Sequence, residues 1–317
     1  MITVSELLYN CSIESGCNIY SGDRARIDFE MNYNNVEYLI RNPNKLKRII
    51  PDATISEEDP RSYHYNRKCI KKYHDKDGKQ YASLELNLFN NSKNGCKCYA
   101  VFNPNRCFHS EEFMKDLYKI LSLADSYTIH IIDVAVDMPI EKYFVNLMKD
   151  RRSKLEYIAS KDNTTEYLGK NRNKVGHVKL YDKQKESKLT YSLTRCEITL
   201  GNPLKDGWIQ KVSLSLPKVI IRSNECIEVN LDSSLNDTEK VLVETLRDNY
   251  EKVKYFQKLG YKMKKKLAPY VFTDDKEFEF DLQAIADIAD KAVKAISFDF
   301  AAIRNDYFIN KNPINLC

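Results

Sequence analysis

The stretch YTIHIIDVAVDM (127 to 138) constrains this chain more than any other. It is long, apolar and rich in β-branched residues, so it reads as a strand. Yet aspartates stand at positions 133 and 137. Side chains alternate along a strand, so Ile132, Val134, Val136 and Met138 share one face, and Asp133, Ala135 and Asp137 share the other. Carboxylates are poor strand formers, and acids between strongly apolar neighbours need a reason.

Other segments alternate in the same way. In ARIDFEM (25 to 31), Ile27, Phe29 and Met31 oppose Arg26, Asp28 and Glu30. In SLELNL, Ser83, Glu85 and Asn87 oppose the leucines, and NNSKNG then turns the chain into CKCYAVF (96 to 102), which predicts a β-hairpin. In GHVKLYD (176 to 182), Val178 and Leu180 point away from His177, Lys179 and Tyr181. In LTRCEITL (193 to 200), Cys196, Ile198 and Leu200 oppose Arg195, Glu197 and Thr199. TEYLG (165 to 169) is one more candidate strand. Laid in one sheet, these strands collect carboxylates, cations and a tyrosine on a single face. A solvated sheet gives the same alternation, so the pattern alone leaves both readings open.

Helices are expected between and after the strands. Ser110 caps a segment whose apolar stripe runs through Phe113, Leu117, Ile120, Leu121 and Ala124. Pro139 opens an expected helix to about Arg151. Beyond residue 231 the character changes. Residues 237 to 259 read as one long helix, capped near Asn236 and stopped at Gly260, and 281 to 300 as an alanine-rich one. The expected fold class is α+β: an antiparallel-rich central sheet with helices on one face, plus a helical C-terminal region. The expected division is 1 to 230 and 231 to 317.

Composition bounds the function classes. Hydrophobic residues make up 43% of 317, enough for a core, and 30% are charged. No apolar run approaches the roughly 20 residues that cross a bilayer, and the opening MITVSELLYNCS lacks a secretory pattern. A cytoplasmic protein with no membrane partner is expected. The nine cysteines are odd in number and irregularly placed, which suits reduced thiols. Cys96, Cys98, Cys107 and His109 lie close in sequence, but no second cysteine knuckle follows to complete a zinc pattern. Net charge is only +5, yet Lys252, Lys254, Lys258, Lys262, Lys264, Lys265 and Lys266 form an acid-free run with Tyr255, Phe256 and Tyr261 between them. Such clusters neutralise phosphates, or are solvated helix faces.

The order FNPN (102 to 105), IIDVAVDM, TEYLG, HVKLYDKQKE, TRCEITL resembles the trans-acting Rep class of rolling-circle plasmid replication initiators from Gram-positive bacteria. The resemblance covers roughly residues 80 to 200. It implies a DNA nicking-closing enzyme that cuts one strand at a plasmid double-strand origin through a tyrosine. The enzyme becomes linked to the 5′-phosphate and leaves a 3′-hydroxyl primer. Carried onto this chain, Tyr181 is the nucleophile, with Lys179 and Arg195 as catalytic cations. Asp133 and Glu197 are metal ligands, with Asp137, Asp28 and Glu85 in support, for Mg²⁺ or Mn²⁺. Lys183, Asn103 and Asn105 belong to the DNA contacts. The resemblance implies double-stranded and single-stranded DNA, a host helicase and a DNA polymerase as partners, and a homodimer is an open expectation. Residues 1 to 230 would be the nicking domain. A helix can enter a major groove, so Lys262, Lys264, Lys265 and Lys266 are the expected origin-recognition residues. Thr199 departs from the class by replacing the second acid of Arg-x-Glu-x-Glu, and Val101 stands where some relatives carry an acid. The five histidines form no His-x-His pair, unlike the other large class of rolling-circle nucleases. A relaxase of an integrative conjugative element would share the chemistry. A non-catalytic DNA-binding regulator would share the sheet.

Overall fold

A computed structural model describes residues 11–56, 66–89, 96–150, 155–160, 163–169, 174–223, 231, 234–248 and 252–296. The chain begins with β1 (Ser12–Ser15), β2 (Asn18–Met31), α1 (Tyr33–Arg41), α2 (Pro43–Ile49), β3 (Thr54–Ile55), β4 (Asn66–His74), β5 (Gln80–Phe89) and β6 (Cys96–Phe102). Then come α3 (Pro104–Cys107), α4 (Glu111–Leu121), β7 (Ser126–Met138), β8 (Val145–Leu147), β9 (Leu155–Ser160), β10 (Asn163–Leu168), β11 (Val178–Asp182), α5 (Lys183–Ser187) and β12 (Thr194–Gly201). The remainder is α6 (Trp208–Ser213), β13 (Val219–Ile221), α7 (Asp237–Asp248), α8 (Lys252–Phe256), α9 (Tyr261–Val271), β14 (Lys276–Glu277) and α10 (Leu282–Ile296).

The fold is α+β. An antiparallel sheet runs in the order β3-β4-β5-β6-β2-β7-β12-β11-β10-β9, with β1 paired to the first residues of β2. The strand YTIHIIDVAVDM is β7, central as its apolar face demands. That face joins Ile27, Phe29, Leu84, Leu86, Val178, Leu180 and Ile198 in one core with Ile132, Val134 and Val136. Val36 and Ile40 of α1, Phe113 and Leu117 of α4, and Ile285 and Ile288 of α10 belong to the same core. Fully burying each of these large side chains is worth about 1.5–3 kcal/mol, so the helical layer contributes to holding the sheet together. The opposite face carries the charged residues. The hairpin expected over 81 to 102 is β5–β6; its turn, 90 to 95, lies outside the described residues. Ser110 caps α4 by accepting from the Phe113 amide.

The expected helix from Pro139 does not form. Lys142 to Phe144 make one 3-10 turn, and β8 pairs with β13 of a second, three-stranded sheet. The buried Glu166 of β10 explains the outcome. It holds Lys142 Nζ at 2.5 Å and accepts the Leu147 amide at 2.7 Å. Glu166 thereby satisfies the Leu147 amide, which a helix would have bonded internally.

The region after residue 231 divides between two cores. Leu235, Val243, Leu246, Phe256, Leu267 and Val271 of α7 to α9 and the segment before them form a second core. Buried pairs brace it, with Arg247 on Asp274 at 2.6 Å and Lys252 on Asp275 at 2.9 Å. The backbone N–H groups of Asn236 and Glu239 each donate to the other's side-chain oxygen, a capping box at the start of α7, where the cap was expected. The expected single helix over 237 to 259 is met by α7 and α8, with 249–251 outside the described residues, and Gly260 is the N-cap of α9. By contrast, α10 packs on the sheet. Tyr118 and Tyr127 donate to its last carbonyls, Ala295 and Ile296, and Asp281 caps its first turn. The apolar stripe of α10 thus completes the first core, while α7 to α9 build the second. Among the described residues, no helix is long and apolar enough to cross a membrane.

Candidate active site

β11, β12, β7 and β2 are consecutive in the sheet. Their register sets the polar face. Tyr181 stands opposite Arg195, and Lys179 opposite Glu197. Arg195 is opposite Asp137, and Thr199 opposite Asp133. Asp133 is in turn opposite Arg24. Five of the expected residues, Tyr181, Lys179, Arg195, Glu197 and Asp137, therefore touch one another across two strand pairs. Asp133 lies diagonal to Glu197, a spacing of about 7–8 Å between backbones.

Tyr181 is 3% exposed, and its hydroxyl donates to Glu197 Oε1 at 2.7 Å. Lys179 Nζ sits 3.6 Å from Glu197 Oε2 and 3.6 Å from the tyrosine ring centre. Lys183 Nζ is 5.7 Å from the same ring and pairs with Glu186. Burial, and then the negative charge of Glu197, push the phenol well above its ordinary titration range; Arg195 opposes this. Nearby cations favour a phenolate, but the carboxylate facing the hydroxyl outweighs them, and the phenol stays neutral. Glu197 is itself pushed up, by burial and by Asp23, against the pull of Lys179, the Tyr181 hydroxyl and Arg195.

Arg195 grips Asp137 with two 2.7 Å hydrogen bonds. Its third nitrogen reaches Asp23 Oδ1 at 3.2 Å. Burial works against the guanidinium charge, but these carboxylates outweigh it and keep Arg195 protonated. Asn103 also donates to Asp23, at 3.2 Å, while its own oxygen caps α3 by accepting from Arg106. Asn105 lies half-buried on α3. The Asn-Pro turn is thereby tied to the site through Asp23.

Asp133 Oδ2 forms an ion pair with Arg24 Nε at 2.8 Å, and its buried Oδ1 has no hydrogen-bond partner. Burial raises the carboxyl to about 6, against Arg24 and the Thr199 hydroxyl, with Glu197 adding to the rise. A buried, partnerless oxygen beside a second carboxylate of raised affinity for protons fits a hard, oxygen-seeking divalent cation. The other expected ligands stand elsewhere. Asp137 is bound by Arg195. Asp28 holds Arg26 at 2.6 Å and His130 at 3.3 Å. Glu85, on β5, lies three strands from β7 and holds Lys68 at 2.8 Å. Lys68 and Asn87 lower its affinity for a proton despite burial. Only Asp133 and Glu197 of the expected set fit a shared cation, and among the described residues no three His, Cys, Asp or Glu side chains converge as a metal site.

Sequence reading missed Asp23 and Arg24. Alternation carried one residue back from Ala25 points Arg24 to the polar face. Asp23 had no such signal, because a β-bulge between Gly22 and Arg24 inserts it out of phase. Of the basic run, Lys252 is buried on Asp275, Lys266 pairs with Glu239 at 2.6 Å and Lys264 donates to the Gln257 carbonyl. Lys262 and Lys265 are exposed on α9.

No family model matches this chain, and no curated protein matches it. A solved structure does. The chain is similar to the rolling circle replication initiator protein from Geobacillus stearothermophilus. The two share 13% identity over 67% of this chain and 89% of that one, with a TM-score of 0.36. That likeness is too distant to carry a functional argument, which rests on the side chains above.

Proposed function

We propose that this protein is a rolling-circle replication initiator that nicks one DNA strand at a plasmid origin through Tyr181. The observation that carries this reading is the 2.7 Å hydrogen bond from the Tyr181 hydroxyl to Glu197, with Lys179 against the ring. A nucleophile in hydrogen-bond contact with a base, itself flanked by an orienting group, is the arrangement covalent catalysis requires. Glu197 takes the phenol proton as Tyr181 Oη attacks phosphorus. The P–O3′ bond breaks, its electron pair stays on O3′, and protonation there gives the 3′-hydroxyl primer. The 5′-phosphate stays on Tyr181. Reversal of the same step closes the strand. Arg195 and Lys179 supply fixed positive charge beside the phenol, where the phosphorane develops negative charge. Mg²⁺ or Mn²⁺ held by Asp133 and Glu197 would act as a Lewis acid on a phosphate oxygen. Duplex and single-stranded DNA are the partners this chemistry needs.

The test is supercoiled plasmid DNA bearing a candidate origin, incubated with protein and Mg²⁺ or Mn²⁺. Nicked circles should appear, with a nucleotide-linked Tyr181 peptide by mass analysis. Tyr181→Phe should give neither. Equal nicking by Tyr181→Phe would remove Tyr181 as the nucleophile. Tight DNA binding without any adduct from the wild type would favour a non-catalytic regulator.

A further inference from the structure

Asp133 already holds a cation. Arg24 Nε lies 2.8 Å from Oδ2 in a direct cross-strand pair, while Oδ1 is buried and without a hydrogen-bond partner. The pair is built in by its surroundings. The bulge at Asp23 puts two consecutive residues, Asp23 and Arg24, beside the site. Asp23 is fixed from two sides by Asn103 and Arg195. The backbone of Gly22 is pinned by the Cys11 carbonyl, at 2.9 Å, under Pro104. The Arg24 backbone is thus anchored, but its side chain is 30% exposed and long enough to swing out. Asp133, at 14% exposure, is not free to follow it.

We propose that Arg24 is a built-in competitor for the divalent cation at Asp133, neutralising the carboxylate when metal is absent and setting the metal affinity of the site. This rests on the reading that Asp133 binds metal. Two positive charges do not share one buried carboxylate cheaply, so metal entry displaces the guanidinium. The cost of breaking the pair is subtracted from the metal's binding energy.

The experiment is Mn²⁺ binding to the full chain without DNA, followed by the loss of the free-ion paramagnetic resonance signal at pH 8.0. Arg24→Gln should bind Mn²⁺ at least tenfold more tightly than wild type. Arg24→Lys, which keeps the charge, should stay within about threefold of wild type. Arg24→Gln with Asp133→Asn should lose the gain. Thermal unfolding checks that each variant is folded; if Arg24→Gln is not, Arg24→Met replaces it. Wild-type binding with equal or weaker binding by the charge-removing variant overturns the proposal and leaves the metal reading intact. A gain that survives Asp133→Asn also overturns it. No Mn²⁺ binding by either protein overturns both the metal reading and this proposal.

Discussion

At the scale of single residues, the proton on Tyr181 decides how the site can work. A buried phenol facing a carboxylate does not ionise spontaneously near neutral pH, so it becomes a nucleophile only as Glu197 accepts its proton. Glu197→Gln keeps the shape and removes both the proton acceptor and one of the two carboxylates proposed to hold the metal. Single-turnover nicking by that variant should fall by roughly 10²–10⁴-fold, with little change in affinity for single-stranded DNA by fluorescence anisotropy. Asp133 yields a separate prediction. Its folded-state carboxyl titrates at about 6, above the ordinary 3.8. A raised carboxyl contributes its stability below the unfolded pKa and loses it as pH rises through the folded one. The shift corresponds to something on the order of 3 kcal/mol. In EDTA, wild-type stability relative to Asp133→Asn should therefore decline between about pH 4 and pH 7, by urea unfolding at several pH values. Alternation was enough to put Tyr181, Lys179, Asp133, Arg195 and Glu197 on one polar face. It was not enough to pair Tyr181 with Glu197. That contact depends on the register of β11 against β12, and one-residue slips leave the local sequence unchanged.

At the scale of elements, the bulge in β2 and the Asn-Pro turn act as one device. Gly22 is where they meet. A Cβ there would lie 2.9 Å from Cys11 Sγ and 3.2 Å from Pro104 Cβ. Gly22→Ala should thus cost about 1–3 kcal/mol by overpacking, measurable as a lower urea midpoint. It should also loosen the Asn103–Asp23–Arg195 chain, so nicking should drop by more than the fraction unfolded accounts for. This explains why FNPN gave no sequence clue to its partner. Asn103 and Asp23 are 80 residues apart and meet only through the fold. The lost helix after Pro139 has the same cause. Its apolar spacing suited a helix, but Glu166, from a strand later in the chain, claimed Lys142 and the Leu147 amide.

At the scale of the molecule, the sheet and α10 make one core, and α7 to α9 make another. The sequence marked the change of character near residue 231, but not the return of α10 to the sheet, since an alanine-rich stripe says nothing about which surface it covers. The second core also sorts the lysine run. Lys252 is spent on Asp275 and Lys266 on Glu239, which leaves Lys262 and Lys265 on the exposed side of α9 with Tyr261, itself 78% exposed. If α9 lies against duplex DNA, each lysine that contacts a phosphate adds about 0.9 to the slope of log affinity against log salt. Lys262→Ala with Lys265→Ala should lower that slope by roughly 2 in a salt titration on duplex plasmid DNA. Lys266→Ala should change it far less, because that ammonium already faces Glu239 across the α7–α9 contact. An unchanged slope in the double variant would take α9 out of the DNA interface and return origin recognition to the polar face of the sheet.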